Sequence, residues 1–365
     1  MTKTIIFVLT NKCNLRCIYC YEDHNVETGI SASKIEQICE NELLTNDAVD
    51  ELIFHFFGGE PFLRFDIIKE VVSFLQSKAW PKKWRCFAST NGTLVHGEVQ
   101  EWLDSNKSFF TCGLSLDGTP AIHNHNRSNS YDSIDLDFFK RTWPGQSIKM
   151  TISEYTIDSL ADGVIHLHNL GFKVACNLAY GIDWEMPYSE DALNRELLKL
   201  VEYYLLNPDV EPCTLLNMKV DYISSYINKE TVHKWCGVGT HMAVYTDDEN
   251  HYPCETFIPM SLGRTLDENI TFKNEYPIEC LDAKCQPCIY KHICPTCYGS
   301  NYKQFGDIFK KDDGYCGLMR CVFRANAYLR FKQVLSERAS CSDSDKLRTL
   351  ESIRLINEFE SNQRV

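Results

Sequence analysis

Cys13, Cys17 and Cys20 stand in the spacing C-x3-C-x2-C, and nine more cysteines (236, 254, 280, 285, 288, 294, 297, 316 and 321) crowd residues 236 to 321. Only six of the 18 cysteines lie elsewhere, so grouping rather than abundance is the signal. Three thiolates on one short loop suit three irons of a four-iron cube, whose full ligation takes four cysteines. A missing ligand leaves one iron open, and an open position separates a reactive metal site from a closed structural one. A zinc knob, or a ferredoxin-like cluster with a distant fourth ligand, is the alternative for this loop. Disulfide scaffolds are short secreted chains. This chain has 365 residues, and Met1 runs straight into the apolar stretch Ile5–Leu9, which reads as a first strand rather than a signal. The expected location is cytoplasmic and reducing, where clustered thiols bind metal.

The elements that must position these residues alternate through the first 180 positions. Apolar runs at Ile5–Leu9, Glu51–Phe57, Trp84–Ser89, Phe110–Leu116, Ser147–Ser153 and Phe172–Ala179 read as strands. Between them, 31–44, 66–77, 98–105 and 158–170 read as helices, with Ser31 as a cap. Alternation of this kind predicts an α/β fold with a mainly parallel sheet. Polar, Gly-containing segments follow the strands: Gly58-Gly59-Glu60-Pro61, Thr90-Asn91-Gly92-Thr93 and Ser115-Leu116-Asp117-Gly118. That edge carries the ligand site in such folds. Residues 189–206 and 318–335 read as helices, and the tail beyond Ser342 as polar and helical. The segment 236–321 is Gly-, Pro- and Cys-rich without clean periodicity, so metal centres are expected to hold it together. The net charge of −13 (37 basic, 50 acidic residues) speaks against a nucleic-acid partner, and no apolar run is long enough to span a membrane.

The loop motif, the Gly58-Gly59-Glu60-Pro61 turn and Ser115-Leu116-Asp117-Gly118, in that order, resemble the radical S-adenosylmethionine (SAM) enzymes. The resemblance implies a partial (βα)6 barrel over residues 1–200. It implies a [4Fe-4S] cluster on Cys13, Cys17 and Cys20 whose open iron binds SAM. One-electron cleavage of SAM then gives a 5′-deoxyadenosyl radical that abstracts hydrogen from a substrate. It further implies that Gly58, Gly59 and Glu60 receive the methionine amino group and that Tyr19 lies near the adenine. Asn91, Ser115 and Asp117 would form a polar wall, and Arg127 would meet the methionine carboxylate.

The run Cys280-x4-Cys285-x2-Cys288-x5-Cys294-x2-Cys297, with Cys236, Cys254 and Cys316, resembles the SPASM extension of that family. This implies two auxiliary [4Fe-4S] clusters in a small domain at 236–321, behind a bridging segment 201–235 and before a helical tail 322–365. The farther cluster would take Cys285, Cys288, Cys294 and Cys316. The nearer would take Cys236, Cys254 and Cys297, with Cys213, Cys280 or a substrate thiolate as fourth ligand. Glu249 stands where the family usually has glycine. Cys321 is extra, and Cys39, Cys86, Cys112, Cys176 and Cys341 read as buried thiols. Glu255, directly after Cys254, is the candidate base.

The resemblance points to RiPP maturases, which modify ribosomally made precursor peptides, and to anaerobic sulfatase-maturing enzymes. The leading expectation is an oxidoreductase that installs a C–S or C–C crosslink in a precursor peptide, fed by an external electron donor such as flavodoxin or ferredoxin. No leader-binding domain precedes the first strand, so recognition is expected to use another surface or a separate leader-binding protein. Oxidation of Cys or Ser to formylglycine is the second expectation. An electron-transfer or sensing protein without turnover is the third.

Overall fold

The computed structural model describes all residues except 25–27, 46, 249, 267–269, 337–341 and 363–365, so Glu249 and Cys341 lie outside the described residues. The chain forms two compact units. The first comprises Met1–Leu116, His123–Lys149 and Cys236–Lys273, the second Asp117–Ile122, Met150–Trp235 and Asn274–Val365.

The first unit is built on strands β1 (Thr2–Val8), β2 (Glu51–Phe57), β3 (Lys83–Thr90) and β4 (Phe110–Leu114), all mutually parallel. Helices α1 (Ala32–Leu44), α2 (Phe65–Gln76) and α3 (Glu98–Asn106) connect them. Ile5, Ile6, Phe7 and Val8 are all buried, as a central parallel strand covered on both faces requires. In β2 the alternate residues Leu52, Phe54 and Phe56 are buried. The Phe56 ring stacks on Phe110 of β4 at 5.9 Å. Helix α1 is capped by the Ser31 hydroxyl, which accepts from Lys34 N, and it buries Ala32, Ile35, Cys39 and Leu43. Helix α2 buries Ile67, Ile68, Val71, Val72 and Leu75.

The sheet has six strands, and its other side comes from the cysteine-rich segment. Met242–Tyr245 lies parallel to β1, and His251–Tyr252 pairs antiparallel to it. Sequence periodicity had shown no strand there. Four residues between a Gly-rich turn and an Asp-rich one are too few to display alternation.

Strand β5 (Ser147–Ile152) begins in the first unit, where Lys149 bridges to Ser115, and pairs in the second with β6 (Lys173–Leu178). The second unit also holds α6 (Leu160–Asn169) and α7 (Tyr188–Leu206), counting Pro120–Asn126 and Leu136–Thr142 as α4 and α5. Helix α7 packs on the 23-residue helix Asp313–Leu335, which in turn packs on Asp343–Asn362. The expected helices at 189–206, 318–335 and beyond 342 are therefore present. Among the described residues no helix is long and apolar enough to cross a membrane.

Candidate active site

The loop that leaves β1 carries the three-cysteine motif, and the turn after β2 holds it in place. Gly59 N donates to Thr10 O and Glu60 N to Lys12 O, both at 2.9 Å. A Cβ on Gly58, whose φ is +140°, would stand 2.3 Å from Thr10 O, and one on Gly59 would stand 2.3 Å from Lys12 O. Backbone packed this closely admits only glycine. On the other side, Ile18 N donates to Asn126 O at 3.0 Å and Arg16 N to Ser128 Oγ at 2.8 Å.

The three thiols share one neighbourhood. Cys13 is pushed up to about 11 by burial, with Glu60 and Cys17 adding to it. Cys20 is pushed up to about 12 by burial, with Glu22, Cys17 and Cys13 adding. Three sulfurs that repel one another as thiolates, with carboxylates beside them, call for a cationic centre. Each sulfur also has a nitrogen donor within reach. Leu15 N donates to Cys13 Sγ at 3.4 Å, and Asn91 Nδ2 is 3.9 Å from the same atom. The Arg127 guanidinium is 4.0 Å from Cys17 Sγ, and the Glu22 backbone N–H donates to Cys20 Sγ. His24 Nδ1 donates to Asn11 O at 2.7 Å, which leaves Nε2, 3.4 Å from Cys20 Sγ, as the acceptor atom of the ring. N–H groups on cluster sulfurs are a recognised lever on reduction potential.

Glu60 is buried, and its carboxylate is occupied. Oε1 accepts from Phe62 N (3.1 Å) and Thr90 Oγ1 (2.9 Å), and Oε2 accepts from Asn91 N (2.8 Å). Burial nonetheless pushes it up to about 7. Asn91 Nδ2 donates to Asn14 Oδ1 at 2.9 Å, and its Oδ1 accepts from Thr93 N and Thr93 Oγ1. Asn91 thus ties the loop after β3 to the cysteine loop. Arg127, buried, has its guanidinium 5.4 Å from the Tyr19 ring centre. Ser115 N donates to Thr90 O at 2.9 Å. Asp117, in the second unit, is fully buried and accepts from Thr151 N at 2.8 Å.

Glu255 follows Cys254 in a short 3-10 turn, and its Oε2 is buried without a hydrogen-bond partner among the described residues. Its neighbour is a residue that sequence reasoning missed. Glu22 is pushed up to about 8 by burial and by Glu255, with Lys149 opposing. Ligand atoms of Cys20, Glu22 and His24 lie within 4.8 Å of one another. The sequence signal was slight: an acid and a histidine two and four positions beyond the last cysteine of the motif.

In the second unit, Cys285, Cys288, Cys294 and Cys316 are brought together. Burial pushes Cys285 and Cys316 up to about 11 each and raises Cys288. Cys294 adds to all three shifts. Four thiols and no disulfide among them make a complete donor set for a four-iron cluster. Lys311 Nζ lies 3.3 Å from Cys294 Sγ. Burial works against its charge, yet Cys294, Cys285 and Cys316 outweigh it and hold the ammonium protonated. Sequence reasoning missed Lys311, which sits in the charged run Lys310–Asp313 that reads as surface.

The remaining cysteines differ in setting. In the first unit Cys236 is exposed, and Cys254 is half-buried with its sulfur 3.0 Å from Thr256 Oγ1. In the second, Cys297 caps helix Tyr298–Phe305 by accepting from Ser300 N. Cys213 is buried against Cys176 and Tyr204, whereas Cys280 is exposed. Cys39, Cys86, Cys112 and Cys176 are buried as expected, and Cys321 is buried beside Arg324.

Residues 7–185 match the Radical SAM superfamily. This chain carries a radical SAM domain. That family uses SAM and a [4Fe-4S] cluster, and the α/β architecture with its parallel sheet is the radical SAM fold. A cysteine-type anaerobic sulfatase-maturating enzyme of Clostridium perfringens (strain 13 / Type A) is 36% identical over 137 residues, which is 35% of this chain and 35% of the relative. The match thus spans about a third of that enzyme's length. The radical SAM cyclopropyl synthase TigE of Paramaledivibacter caminithermalis is 22% identical over 371 residues, covering 88% of this chain and 73% of TigE. A solved structure of anSMEcpe with bound AdoMet and Cp18Cys peptide superposes with a TM-score of 0.69 at 20% identity, over 91% of this chain and 98% of that one. The radical SAM domain is thus related both to a sulfatase-maturating enzyme and to a cyclopropyl synthase.

Proposed function

We propose that the protein is a radical SAM/SPASM peptide maturase that abstracts hydrogen from a ribosomally made precursor and installs an intramolecular C–S or C–C crosslink. The observation that carries this reading is the second group of four thiols, separate from the three-thiol loop. Crosslinking removes a hydrogen atom and then a further electron and proton, so it needs an electron acceptor besides the cluster that cleaves SAM. Similarity to the cyclopropyl synthase TigE over 88% of the chain supports a bond-forming reaction. On this reading residues 1–200 carry the radical chemistry, 201–235 bridge, 236–321 hold the auxiliary clusters and 322–365 form a helical tail.

Bound here, SAM and the reduced cluster supply a strong hydrogen-atom abstractor. Cys13, Cys17 and Cys20 hold the cluster and leave one iron open. Leu15 N, Asn91, Arg127 and Glu22 N orient the sulfurs and temper their charge. The Gly58–Glu60 turn spends two N–H groups on the cysteine loop, and since the Glu60 carbonyl accepts from Leu63 N, the Gly58 and Gly59 carbonyls are the acceptors offered to an ammonium. Tyr19 and Arg127 offer a ring face and a guanidinium fork to adenine and carboxylate. Cys285, Cys288, Cys294 and Cys316 hold the farther auxiliary cluster. The nearer one is assigned to Cys236, Cys254 and Cys297 by the resemblance to the SPASM extension. Electrons enter from an external donor of the flavodoxin or ferredoxin type.

Glu255 serves as the base: among the described residues its Oε2 has no hydrogen-bond partner to compete with a substrate proton. Replacing Glu255 by Gln should lower crosslinked product by about 10²-fold or more, the usual worth of a general base. Cleavage of SAM should continue. The assay compares product mass with 5′-deoxyadenosine, using candidate precursor peptides taken from any short reading frames found beside the gene. Unchanged product would remove Glu255 from the mechanism.

The second reading, formylglycine formation, is favoured by the 36% identity to the sulfatase-maturating enzyme. Fragmentation of the product decides between them: two joined residues support the crosslink, and a lone aldehyde supports formylglycine. An electron-transfer or sensing protein would give no 5′-deoxyadenosine at all.

A further inference from the structure

We propose that Lys311 sets the reduction potential of the four-iron cluster on Cys285, Cys288, Cys294 and Cys316, raising it through a cationic N–H···S contact to Cys294. This rests on the auxiliary-cluster assignment above.

Four thiolates around a [4Fe-4S] core leave a net negative charge, and reduction adds one more. Away from bulk water that extra charge is costly, so a cluster with no compensating cation is hard to reduce. Lys311 supplies the cation. Its Nζ is 3.3 Å from Cys294 Sγ.

The ordinary alternative is a surface ion pair, and acids are close in sequence. They are engaged elsewhere. Asp312 caps the following helix by accepting from Tyr315 N, and Gln304 reaches its other oxygen. Asp313 is bound by Lys284. Asp282 accepts from the backbone of Lys311 and of Lys284. Among the described residues no carboxylate lies within ion-pair distance of Lys311 Nζ, so its charge is aimed at sulfur. Lys284 also stands near Cys316, but Asp313 and Asp282 offset its charge. Two lysines beside one thiol group therefore differ in the net field they deliver, and that difference supplies the control.

The test uses the full chain with Cys13, Cys17 and Cys20 all changed to Ala, reconstituted anaerobically, so that only auxiliary clusters contribute. Iron is counted, and each cluster is titrated potentiometrically with detection by electron paramagnetic resonance. In this background Lys311→Met should lower one midpoint and leave the other in place. The reduced-to-oxidised ratio of that cluster at a set potential should fall at least tenfold, about 59 mV for a one-electron couple. Lys311→Arg should retain most of the wild-type value, and Lys284→Met should shift it less than Lys311→Met does. Unchanged midpoints with iron intact would overturn the proposal. Loss of about four irons in both Lys311→Met and Lys311→Arg would overturn it too, by making the residue structural. If the background protein itself binds no iron, the auxiliary-cluster reading fails, an outcome distinct from the other two.

Discussion

Glu60 is a carboxylate surrounded by donors. Phe62 N, Thr90 Oγ1 and Asn91 N all point at it, and burial alone pushes it up to about 7. In the unfolded chain the same group titrates near 4.3. Between those values the folded protein holds a proton that the unfolded chain has released. The contribution of Glu60 to stability is therefore fully present below about 4.3 and is lost as pH rises through about 7. Glu60→Gln removes this dependence and also turns an amide NH2 toward a backbone donor. The expected cost is about 1–3 kcal/mol, the penalty for a buried polar group left without its partner. Thermal melts from pH 5 to 8 check both parts: the variant melts lower, and its gap from wild type narrows as pH rises. A gap that widens with pH would reverse the sign. The motif containing Glu60 was legible in the sequence, but its partners were not. Glycines before an acid mark a site where something comes close, and only the structure shows that it is the backbone of Thr10 and Lys12, as well as any ligand.

At the scale of elements, the parallel strands were readable because each is a short apolar run ended by Gly or Asn. What could not be read is which residues of those runs face one another across the sheet. Gly113 of β4 is an example. A Cβ there would meet Phe87 Cζ of β3 at 2.6 Å, so the strand gives up a side chain to seat that ring. The ring in turn lies edge-on to His55 at 4.8 Å, and burial pushes His55 down to about 3, with Lys149 adding to the shift. Gly113→Ala should therefore destabilise by about 1–3 kcal/mol through overpacking. Adding Phe87→Leu should recover part of that loss, because the two changes act in one contact. Denaturant unfolding of the single and double variants measures the coupling, and strict additivity would show that the ring moves aside freely. The strand Met242–Tyr245 was illegible for a different reason. It owes its place to β1, through pairs such as Thr4 with Met242 and Ile6 with Val244, and four residues carry no pattern of their own.

For the molecule as a whole, the cysteine count already implied more metal than one site holds, and the two compact units divide those cysteines between them. The three thiols of the first loop all belong to the first unit, and Cys285, Cys288, Cys294 and Cys316 all belong to the second. No thiol is shared between these two groups, so their iron should load independently. On the proposed reading, three four-iron clusters should give about twelve irons per chain. Changing Cys13, Cys17 and Cys20 to Ala should remove about a third of the iron and all cleavage of SAM. Changing Cys285, Cys288 and Cys294 to Ala should remove another third and leave the first cluster's reductive cleavage of SAM in place, while crosslinked product falls. The combined variant should keep only what the nearer auxiliary cluster binds, about four irons. Iron and sulfide assays after anaerobic reconstitution, run beside 5′-deoxyadenosine release, measure all three. A wild-type chain with about four irons would leave only the cluster of the three-cysteine loop. One tightly held zinc without iron would return the cysteine-rich segment to the zinc alternative. Loss of SAM cleavage on removing the second group would mean that the two thiol sets do not load independently, and the electron path would then have to run through both.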